Sequence, residues 1–386
     1  MNSTLICPGC GSSDLCARFL LPNHPVVLNY RFASAAAARS VPRRDINLAQ
    51  CSRCGLVFNA SFEASVVPYD ENYENRQCFS PAFQDHLGSL ACRLIAENGL
   101  KNARILEVGC GKGDFLRLIC AEANARGVGY DTTYEGPAVS DDRRIHFHKN
   151  YVSASDISEP FEAVICRHVV EHVPQIGDFL RQLHSIARAA GNPVLVLETP
   201  SFEWIIRNGC FWDIFYEHCN YFNLPTLAFL AEQAGFEVLN QSLVFGGQYQ
   251  LLELRALPSP TPAQRPVKIS GETSLATFAE NIETFRKRME KRLLDNGASD
   301  GWAIWGAGAK GVALVNQLQI VPPLFVVDSN PAKQGGVIPG STIPIVGPDD
   351  TRVAQAKVIL VANPNYLPEI KLALEKRHFR NSILST

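Results

Sequence analysis

The chain has 386 residues, a formal net charge of −2 and 46% hydrophobic residues. This length predicts two or three domains with cores of their own, and the hydrophobic content excludes a disordered chain. The lack of a net positive charge argues against a nucleic-acid partner, because neutralising phosphates requires a cationic surface. The twelve cysteines are the unusual part of the composition.

The beginning of the chain has neither a cationic head nor a long apolar run, so we expect no signal peptide. The longest apolar stretches have the length of strands, so we expect no membrane partner. A cytoplasmic protein is the resulting expectation, and cysteines in that compartment are more often metal ligands or buried residues than disulfides. The oligomeric state stays open.

Four cysteines form two Cys-x2-Cys pairs, and each pair is followed by a glycine: Cys7, Cys10, Cys51 and Cys54. Two such turns supply the four thiolates of a tetrahedral, structural Zn²⁺ site. The segment 11–50 between the pairs is longer than usual and requires an inserted loop. We predict a zinc-binding module at 1–70, with two coincidental buried pairs as the alternative. We interpret the other cysteines as packing residues.

Residues 71–258 alternate strand and helix patterns, which predicts a mostly parallel sheet covered on both faces. A proline-rich linker at 258–262 and a long helix at 274–295 follow, and 302–383 repeats the pattern in a third domain at 259–386. The predicted strands are 46–50, 55–59, 104–108, 128–130, 161–166, 193–198, 236–244 and 250–256, and the predicted helices of the core are 83–98, 115–123, 176–189 and 225–234.

The most informative motif follows the strand at 104–108. It contains Glu107 and then three glycines at alternate positions, Gly109, Gly111 and Gly113. Such glycines let a ligand lie against bare backbone, and the next helix offers its free amides. Asp131, at the end of the following strand, can accept both hydroxyls of a ribose. The spacing differs from that of dinucleotide sites and favours a nucleoside cofactor over the alternative, an ordinary tight turn.

This motif resembles the first motif of the class I S-adenosylmethionine-dependent methyltransferases. The resemblance implies a Rossmann-like α/β core in which the glycine turn holds the methionine part of the cofactor and Asp131 binds its ribose. The stretch 163–173 is similar to the fourth-strand region of that family, which implies that Arg167 and His168 lie against the cofactor.

A narrower resemblance covers nearly the whole chain. The zinc module, the methyltransferase core and a C-terminal Rossmann-like domain are together similar to the nucleotide-sugar C-methyltransferases of deoxysugar pathways. The segments 69–73, 211–222 and 328–344 support it. The resemblance implies methyl transfer from S-adenosylmethionine to a carbon alpha to a ketone of a nucleotide-linked deoxysugar.

Methylation of such a carbon requires a base that removes a proton and creates an enolate. Histidine suits this task, and the pair Glu217-His218, flanked by Tyr216 and Tyr221, has the required residue types. Adjacent side chains point apart, so we expect Glu217 and His218 to do different jobs, with Tyr216 as a further catalytic residue and Tyr221 as a substrate contact. The alternative for His218 is an interface histidine without a chemical role.

Other residues complete the predicted site. His172, in the loop after the fourth strand of the core, is a second catalytic candidate, with a part in helix entry as its alternative. Tyr73, with Tyr69 as a weaker partner, is expected to cover the site as part of a lid, unless it is a packing aromatic. The backbone of Gly247 is expected to contact the substrate.

The C-terminal domain carries a second glycine turn, with Gly306, Gly308 and Gly311 before a helix and Asp328 at the end of the next strand. By pattern this is a complete dinucleotide fingerprint, which indicates an NAD-linked oxidoreductase. The family resemblance implies instead a degenerate Rossmann unit that closes over the substrate, with Lys310 near its phosphates or with a scaffold role alone. A methyltransferase acting on oxygen, nitrogen or carbon of a non-sugar natural product is the remaining alternative.

Overall fold

A computed structural model of the chain describes residues 5–68, 73–74, 76, 78–258 and 265–386. Tyr69 and most of the predicted linker at 258–262 lie outside these residues. Within the described part, none of the helices is both long enough and apolar enough to span a membrane.

Strands and helices alternate along most of the described chain, as the sequence predicts for residues 83–256. The pattern predicts neither β1 nor β6. The strands are β1 Leu15–Pro25, β2 Arg43–Cys51, β3 Val57–Asn59, β4 Arg104–Val108, β5 Arg126–Tyr130, β6 Ile145–His148, β7 Ala163–Arg167, β8 Val194–Pro200, β9 Asn220–Tyr221, β10 Phe236–Val244, β11 Tyr249–Ala256, β12 Trp302–Trp305, β13 Phe325–Val327, β14 Ile345–Val346, β15 Val358–Val361 and β16 Ser382–Ser385. The helices are α1 Ala35–Arg39, α2 Pro81–Asn98, α3 Asp114–Ala123, α4 Ile176–Ala189, α5 Phe202–Asn208, α6 Leu224–Gln233, α7 Leu275–Asp295, α8 Ala309–Gln317 and α9 Leu367–Lys376.

The N-terminal sheet has the order β1-β2-β3-β9 and is antiparallel. Its last strand comes from far along the chain, because Val57 of β3 pairs with Tyr221 of β9. One apolar core joins residues of this sheet, such as Leu48, to Trp212 and to Phe278 of α7. The segment 211–222 is therefore built onto the N-terminal module.

The central sheet has the order β10-β11-β8-β7-β4-β5-β6, and β11 runs antiparallel to its neighbours. The strands from β8 to β6 are parallel. Helices α2 and α3 share one apolar core with this sheet, while α4 and α6 share another. Because the strands β4, β5, β7 and β8 run in one direction, their carboxyl ends meet at one edge, where ligands bind in such sheets.

The C-terminal sheet has the order β14-β13-β12-β15-β16 and is parallel throughout. Its β12-α8-β13 unit carries the second glycine turn. This arrangement confirms the Rossmann-like expectation for the end of the chain. The boundaries at 70 and 258 fall in or beside residues outside the description, so the division into 1–70, 71–258 and 259–386 stays a prediction.

Candidate active site

A cavity of about 1110 Å³ lies at the carboxyl edge of the central sheet. Its walls also include residues of the N-terminal module and of the C-terminal sheet, and Gly111 and Gly308 bring in both glycine turns. This volume exceeds the roughly 300–1,000 Å³ of a typical pocket for one small molecule. The cavity therefore has room for two organic ligands at once.

The first glycine turn connects β4 to α3. The backbone amide of Gly109 donates to the carbonyl of Tyr130 at 2.8 Å. A Cβ on Gly109 would lie 2.2 Å from Val169, whereas a Cβ on Gly111 would meet no atom within 4 Å. Gly109 thus permits close packing of the loop after β7, and Gly111 leaves bare backbone facing the cavity. Gly113 directly precedes α3.

Asp131 follows β5 and lines the cavity. Its Oδ2 accepts the backbone amide of Gly111 at 2.8 Å, and its Oδ1 accepts both the amide and the hydroxyl of Thr133 at 2.7 Å. A carboxylate offers about four acceptor positions. The side chain therefore fixes the glycine turn and keeps capacity for a ligand hydroxyl.

Glu107 and Arg167 are an acidic and a basic side chain buried in the cavity wall. Among the described residues, Glu107 Oε2 and Arg167 Nη2 have no hydrogen-bond partner. Burial raises the pKa of Glu107 to about 8, although the charge of Arg167 opposes the shift. Arg167 also lies over the ring of Phe115, 4.2 Å from its centroid. The ammonium and carboxylate of an amino acid would satisfy both unpaired atoms.

His168 turns the chain after β7 with φ of +53°, which is uncommon outside glycine. Its backbone amide donates to the carbonyl of Glu198 at 2.8 Å, and its ring meets Tyr249 edge to face. Burial opposes ionisation of the Glu198 side chain, but Arg167 and His86 lower its pKa below the ordinary range. The buried carboxylate of Glu198 thus fixes the position of Arg167 in this wall of the cavity.

Residues 150–152 after β6 also line the cavity, and the sequence analysis missed them. Tyr151 is 86% exposed, so its ring stands at the rim, available to cover a ligand. The overlooked signal is the alternation of β6, in which Ile145 and Phe147 are buried between exposed histidines. With four residues, β6 is at the lower limit of the length that a hydrophobic pattern predicts.

His172 and His218 lie together in the cavity wall. Their rings meet edge to face with centroids 4.7 Å apart. The Nδ1 of His172 lies 2.9 Å from the backbone carbonyl of Glu217. Because a carbonyl only accepts, Nδ1 carries the hydrogen, and the lone pair of the neutral ring is on Nε2. The His218 ring has no hydrogen-bond partner within the described ranges and packs 4.1 Å from Phe215.

Glu217 points away from the cavity and is fully buried. Its Oε1 accepts the backbone amide of Leu28 at 2.6 Å, and its Oε2 accepts the hydroxyl of Tyr73 at 2.8 Å. Burial raises the pKa of the Glu217 carboxyl. The hydrogen bonds from Leu28 and Tyr73 favour its ionised form and partly oppose this rise. Tyr73 itself lines the cavity. The structure therefore separates the predicted pair, with His218 facing the cavity and Glu217 holding Tyr73.

Three other predicted residues do not line the cavity. The Tyr216 hydroxyl accepts the backbone amide of residue 63 at 2.9 Å, and the Tyr221 hydroxyl bonds the backbone amide and carbonyl of residue 215 at 3.1 Å. Both tyrosines are thus committed to backbone contacts. Gly247 also lies outside the lining, although the two residues after it are part of it.

Lys310 lies at the start of α8 and contacts the central domain. Its ammonium pairs with Asp213 and lies 5.3 Å from the ring centroid of Trp204. Asp213 and Trp204, which the sequence analysis missed, also line the cavity. In the second glycine turn the backbone amide of Ala307 donates to Asp328 Oδ2 at 2.6 Å. This contact repeats the one between Gly111 and Asp131.

The four predicted metal ligands lie together in the N-terminal module. The Sγ atoms of Cys7 and Cys54, and those of Cys10 and Cys51, are 3.6 Å apart, and all four lie within 4.8 Å of one another. Zinc–sulfur bonds of about 2.3 Å place tetrahedral sulfurs about 3.8 Å apart. The cluster is therefore compatible with zinc.

The interpretation of the other cysteines as packing residues is only partly right. Cys110 and Cys166 are buried, but Cys16 and Cys92 are exposed. These two lie on β1 and α2, where their side chains face solvent.

Comparison with known proteins gives two matching domain families. A methyltransferase domain covers residues 83–241, and a C-methyltransferase C-terminal domain covers residues 263–382. Together with the strand order and the glycine turn, these matches define the chain as an S-adenosylmethionine-dependent methyltransferase with a class I core.

Individual relatives support this class. The chain is similar to the C-methyltransferase NovU of Streptomyces niveus, with 27% identity over 311 residues, covering 74% of this chain and 72% of NovU. A ubiquinone biosynthesis O-methyltransferase of Bradyrhizobium sp. (strain ORS 278) is 27% identical over 142 residues, covering 32% of this chain and 53% of that protein. NovU confirms the resemblance to C-methyltransferases that the sequence indicates.

The match to solved structures covers a smaller part of the chain than the match to NovU does. One is the Burkholderia thailandensis 1,6-didemethyltoxoflavin-N1-methyltransferase with bound 1,6-didemethyltoxoflavin and S-adenosylhomocysteine. It has a TM-score of 0.35 and 17% identity, and the match covers 46% of this chain and 81% of that one.

Replacing Asp131 with asparagine is expected to weaken S-adenosylhomocysteine binding by roughly tenfold or more. Hydrogen bonds to a charged group contribute about 1.5–3 kcal/mol, and a neutral amide loses that charge. Isothermal titration calorimetry measures the change. The exposed Asp141→Asn is the matched control, and equal affinities in the two variants would contradict a role for Asp131 in binding this ligand.

Proposed function

We propose that the chain transfers a methyl group from S-adenosylmethionine to a carbon next to a ketone of a nucleotide-linked deoxysugar. The observation that carries the proposal is the pair His172 and His218 in the wall of a cavity that both glycine turns also line. Such a carbon becomes nucleophilic only after a proton leaves it. A base in the cavity is thus the feature that carbon methylation requires and oxygen methylation of an acidic hydroxyl does not.

His218 is the base in this proposal. Burial lowers the pKa of His218 well below the ordinary value, and the nearby ammonium of Lys310 acts in the same direction. The ring is therefore neutral at neutral pH and carries a lone pair that can accept the proton alpha to the ketone. The enolate left behind would take the methyl group as the bond between that carbon and the sulfonium sulfur breaks and S-adenosylhomocysteine leaves, and His218 would then release its proton to solvent. His172, fixed through Nδ1, is the second histidine beside the reacting carbon.

The cofactor is assigned to the first glycine turn. When bound, S-adenosylmethionine supplies an electrophilic methyl group on a sulfonium. Glu107 and Arg167 hold the amino-acid end through their unpaired atoms, and His168 forms the neighbouring wall. The bare backbone at Gly111 lies along the methionine part, and the carboxylate of Asp131 receives the ribose.

The substrate is assigned to the remaining part of the cavity. The free amides at the start of α8, with Lys310, suit the phosphates of a nucleotide. Tyr73, held by Glu217, closes the side formed by the N-terminal module. The four-cysteine cluster is assigned to one structural Zn²⁺, since four thiolates leave no open position for chemistry.

Incubation with S-adenosylmethionine and nucleotide-linked keto-sugars in deuterated water tests this function. Proton abstraction predicts deuterium at the alpha carbon of recovered substrate, and the product should carry a new carbon–carbon bond by NMR. A methyl group found on oxygen or nitrogen would show that the chain belongs to the alternative class of methyltransferases.

The pH dependence of kcat/KM is expected to follow the lowered pKa of His218. The active form is the neutral ring, so activity is full above the folded pKa and is lost as the pH falls through it. We expect a plateau from neutral pH to below 6.5, the ordinary histidine value. A loss of activity centred at or above pH 6.5 would contradict the assignment.

Thermal shift separates a methyltransferase from the NAD-linked alternative that the second glycine turn suggests. S-adenosylhomocysteine at 100 times its dissociation constant should stabilise the chain by about 2.7 kcal/mol. We expect this shift, and none with NAD. Stabilisation by NAD alone would assign the dinucleotide fingerprint a cofactor and overturn the proposed function.

A further inference from the structure

We propose that Glu171, His172 and His218 form a second metal site, for a divalent first-row transition ion. We infer further that an ion bound there inhibits methyl transfer, because it occupies the lone pair of the base. This inhibitory half rests on the proposed function, whereas the metal site does not.

The three side chains have the spacing of a small coordination site. One ligand atom from each lies within 4.8 Å of the other two. Zinc bonds of about 2.0–2.2 Å to nitrogen and oxygen place tetrahedral ligands about 3.3 Å apart. Modest rotations of the imidazole rings close that difference. The His218 ring, which has no hydrogen bond to the described residues, loses no such contact by rotating.

The surroundings of the cluster resemble the outer shell of a metal site. His172 donates Nδ1–H to the backbone carbonyl of Glu217 at 2.9 Å, which fixes the ring and places its lone pair on Nε2. Glu171 is buried, and its Oε2 accepts the Thr199 hydroxyl at 2.9 Å. Its Oε1 lies 3.5 Å from Nδ1 of His168. Two of the three ligands are thus oriented before any ion binds.

The donor set indicates which ions bind. Two imidazoles and one carboxylate favour Zn²⁺, Co²⁺, Ni²⁺ and Cu²⁺ over Mg²⁺ and Ca²⁺, which prefer oxygen ligands. All three side chains line the cavity, so an ion there keeps positions open for water. The four-cysteine cluster differs in that its thiolates fill a tetrahedron by themselves.

Binding at this site and proton abstraction compete for the same electrons. An ion coordinated by His218 takes the ring lone pair that would receive the alpha proton. Coordination displaces water from the ion and changes no oxidation state. Removal of the ion by a chelator returns the lone pair, so the inhibition is reversible.

Titration with Co²⁺ tests the site directly. The probe is added to the full-length protein with its tightly bound zinc in place, and the visible absorption of Co²⁺ and the metal content per chain are followed. We expect one Co²⁺ per chain with no loss of zinc, and no thiolate charge-transfer band. The variants Glu171→Gln and His218→Gln should each weaken binding by more than the roughly 10–100-fold that loss of an outer-shell partner costs.

A matched control removes a histidine elsewhere. His146→Gln changes an exposed ring on β6 and should bind Co²⁺ like the parent. Retained thermal stabilisation by S-adenosylhomocysteine shows that each variant is folded. Absence of Co²⁺ binding by the parent, or equal binding by parent and His218→Gln, would overturn the site.

The inhibitory half has its own readout. Methyl transfer by the parent should fall at the Co²⁺ concentration at which the site fills, and a chelator too weak to remove the tightly bound zinc should restore it. Full activity with the site filled would overturn inhibition and leave the site. If the chain methylates no keto-sugar in the absence of added metal, the proposed function fails, while the Co²⁺ titration still decides the site.

Discussion

Replacement of His218 by glutamine is expected to lower the rate of methyl transfer by roughly 10²–10⁴-fold, the range that general acid–base catalysis contributes. Glutamine keeps a polar side chain of similar reach but cannot take up a proton at neutral pH. Deuterium exchange at the alpha carbon should be lost together with methyl transfer, because both depend on the same proton removal. Calorimetric binding of S-adenosylhomocysteine should stay within a few-fold of the parent.

His184→Gln provides the matched control for this experiment. His184 donates one hydrogen bond from Nε2 to the backbone carbonyl of Leu257 and does not line the cavity. Its variant should retain methyl transfer and exchange. Normal turnover by the His218 variant would remove this residue from the mechanism, and loss of exchange in His172→Gln alone would transfer the role to His172.

Replacement of Cys54 by serine is expected to remove the zinc and to destabilise the N-terminal module by several kcal/mol. Structural zinc contributes about 10–16 kcal/mol in zinc-finger peptides, and three thiolates hold the ion much less tightly. The first cysteine turn also contacts the core, since the Gly177 amide at the start of α4 donates to the carbonyl of Pro8 at 3.0 Å. The loss should therefore reach beyond the module, with a fall in Tm of roughly 5 °C or more.

Metal analysis and circular dichroism measure the two effects. The parent should contain one zinc per chain, and Cys54→Ser should contain little. Cys16→Ser is the matched control, because Cys16 is exposed and lies outside the cluster. A parent prepared without chelators that holds no metal, or a Cys54→Ser variant as stable as the control, would contradict a structural zinc.

The regular elements of the core follow directly from the sequence. The buried, mainly apolar pattern of β4 and the helical periodicity of α4 each favour one local structure, and both elements appear where the pattern predicts them. The N-terminal strand β1 escaped prediction because its first six residues, of which only Arg18 is charged, show no alternation of apolar and polar types, and Pro22 and Pro25 interrupt the rest. Its pairing with β2, and not its own composition, stabilises it as a strand.

The candidate site divides in the same way. The turn at Gly109 and Gly111 can be predicted from the sequence, because glycine adopts these left-handed conformations without strain. The four-cysteine cluster can also be predicted from the sequence, because a zinc site requires cysteine pairs at this spacing. By contrast, nothing local shows that Asp213 meets Lys310 or that Trp204 joins the cavity wall, since these contacts cross between domains.

The segment 216–221 shows where sequence and tertiary structure each decide. The sequence determined that Glu217 and His218 diverge, since neighbouring side chains leave the backbone in different directions. Only the fold decided which of the two faces the cavity. The pairing of β9 with β3 joins this segment to the N-terminal sheet. There the amide of Leu28 and the hydroxyl of Tyr73 donate hydrogen bonds to the Glu217 carboxylate. A buried carboxylate needs such partners, so Glu217 turns inward and His218 is left facing the cavity.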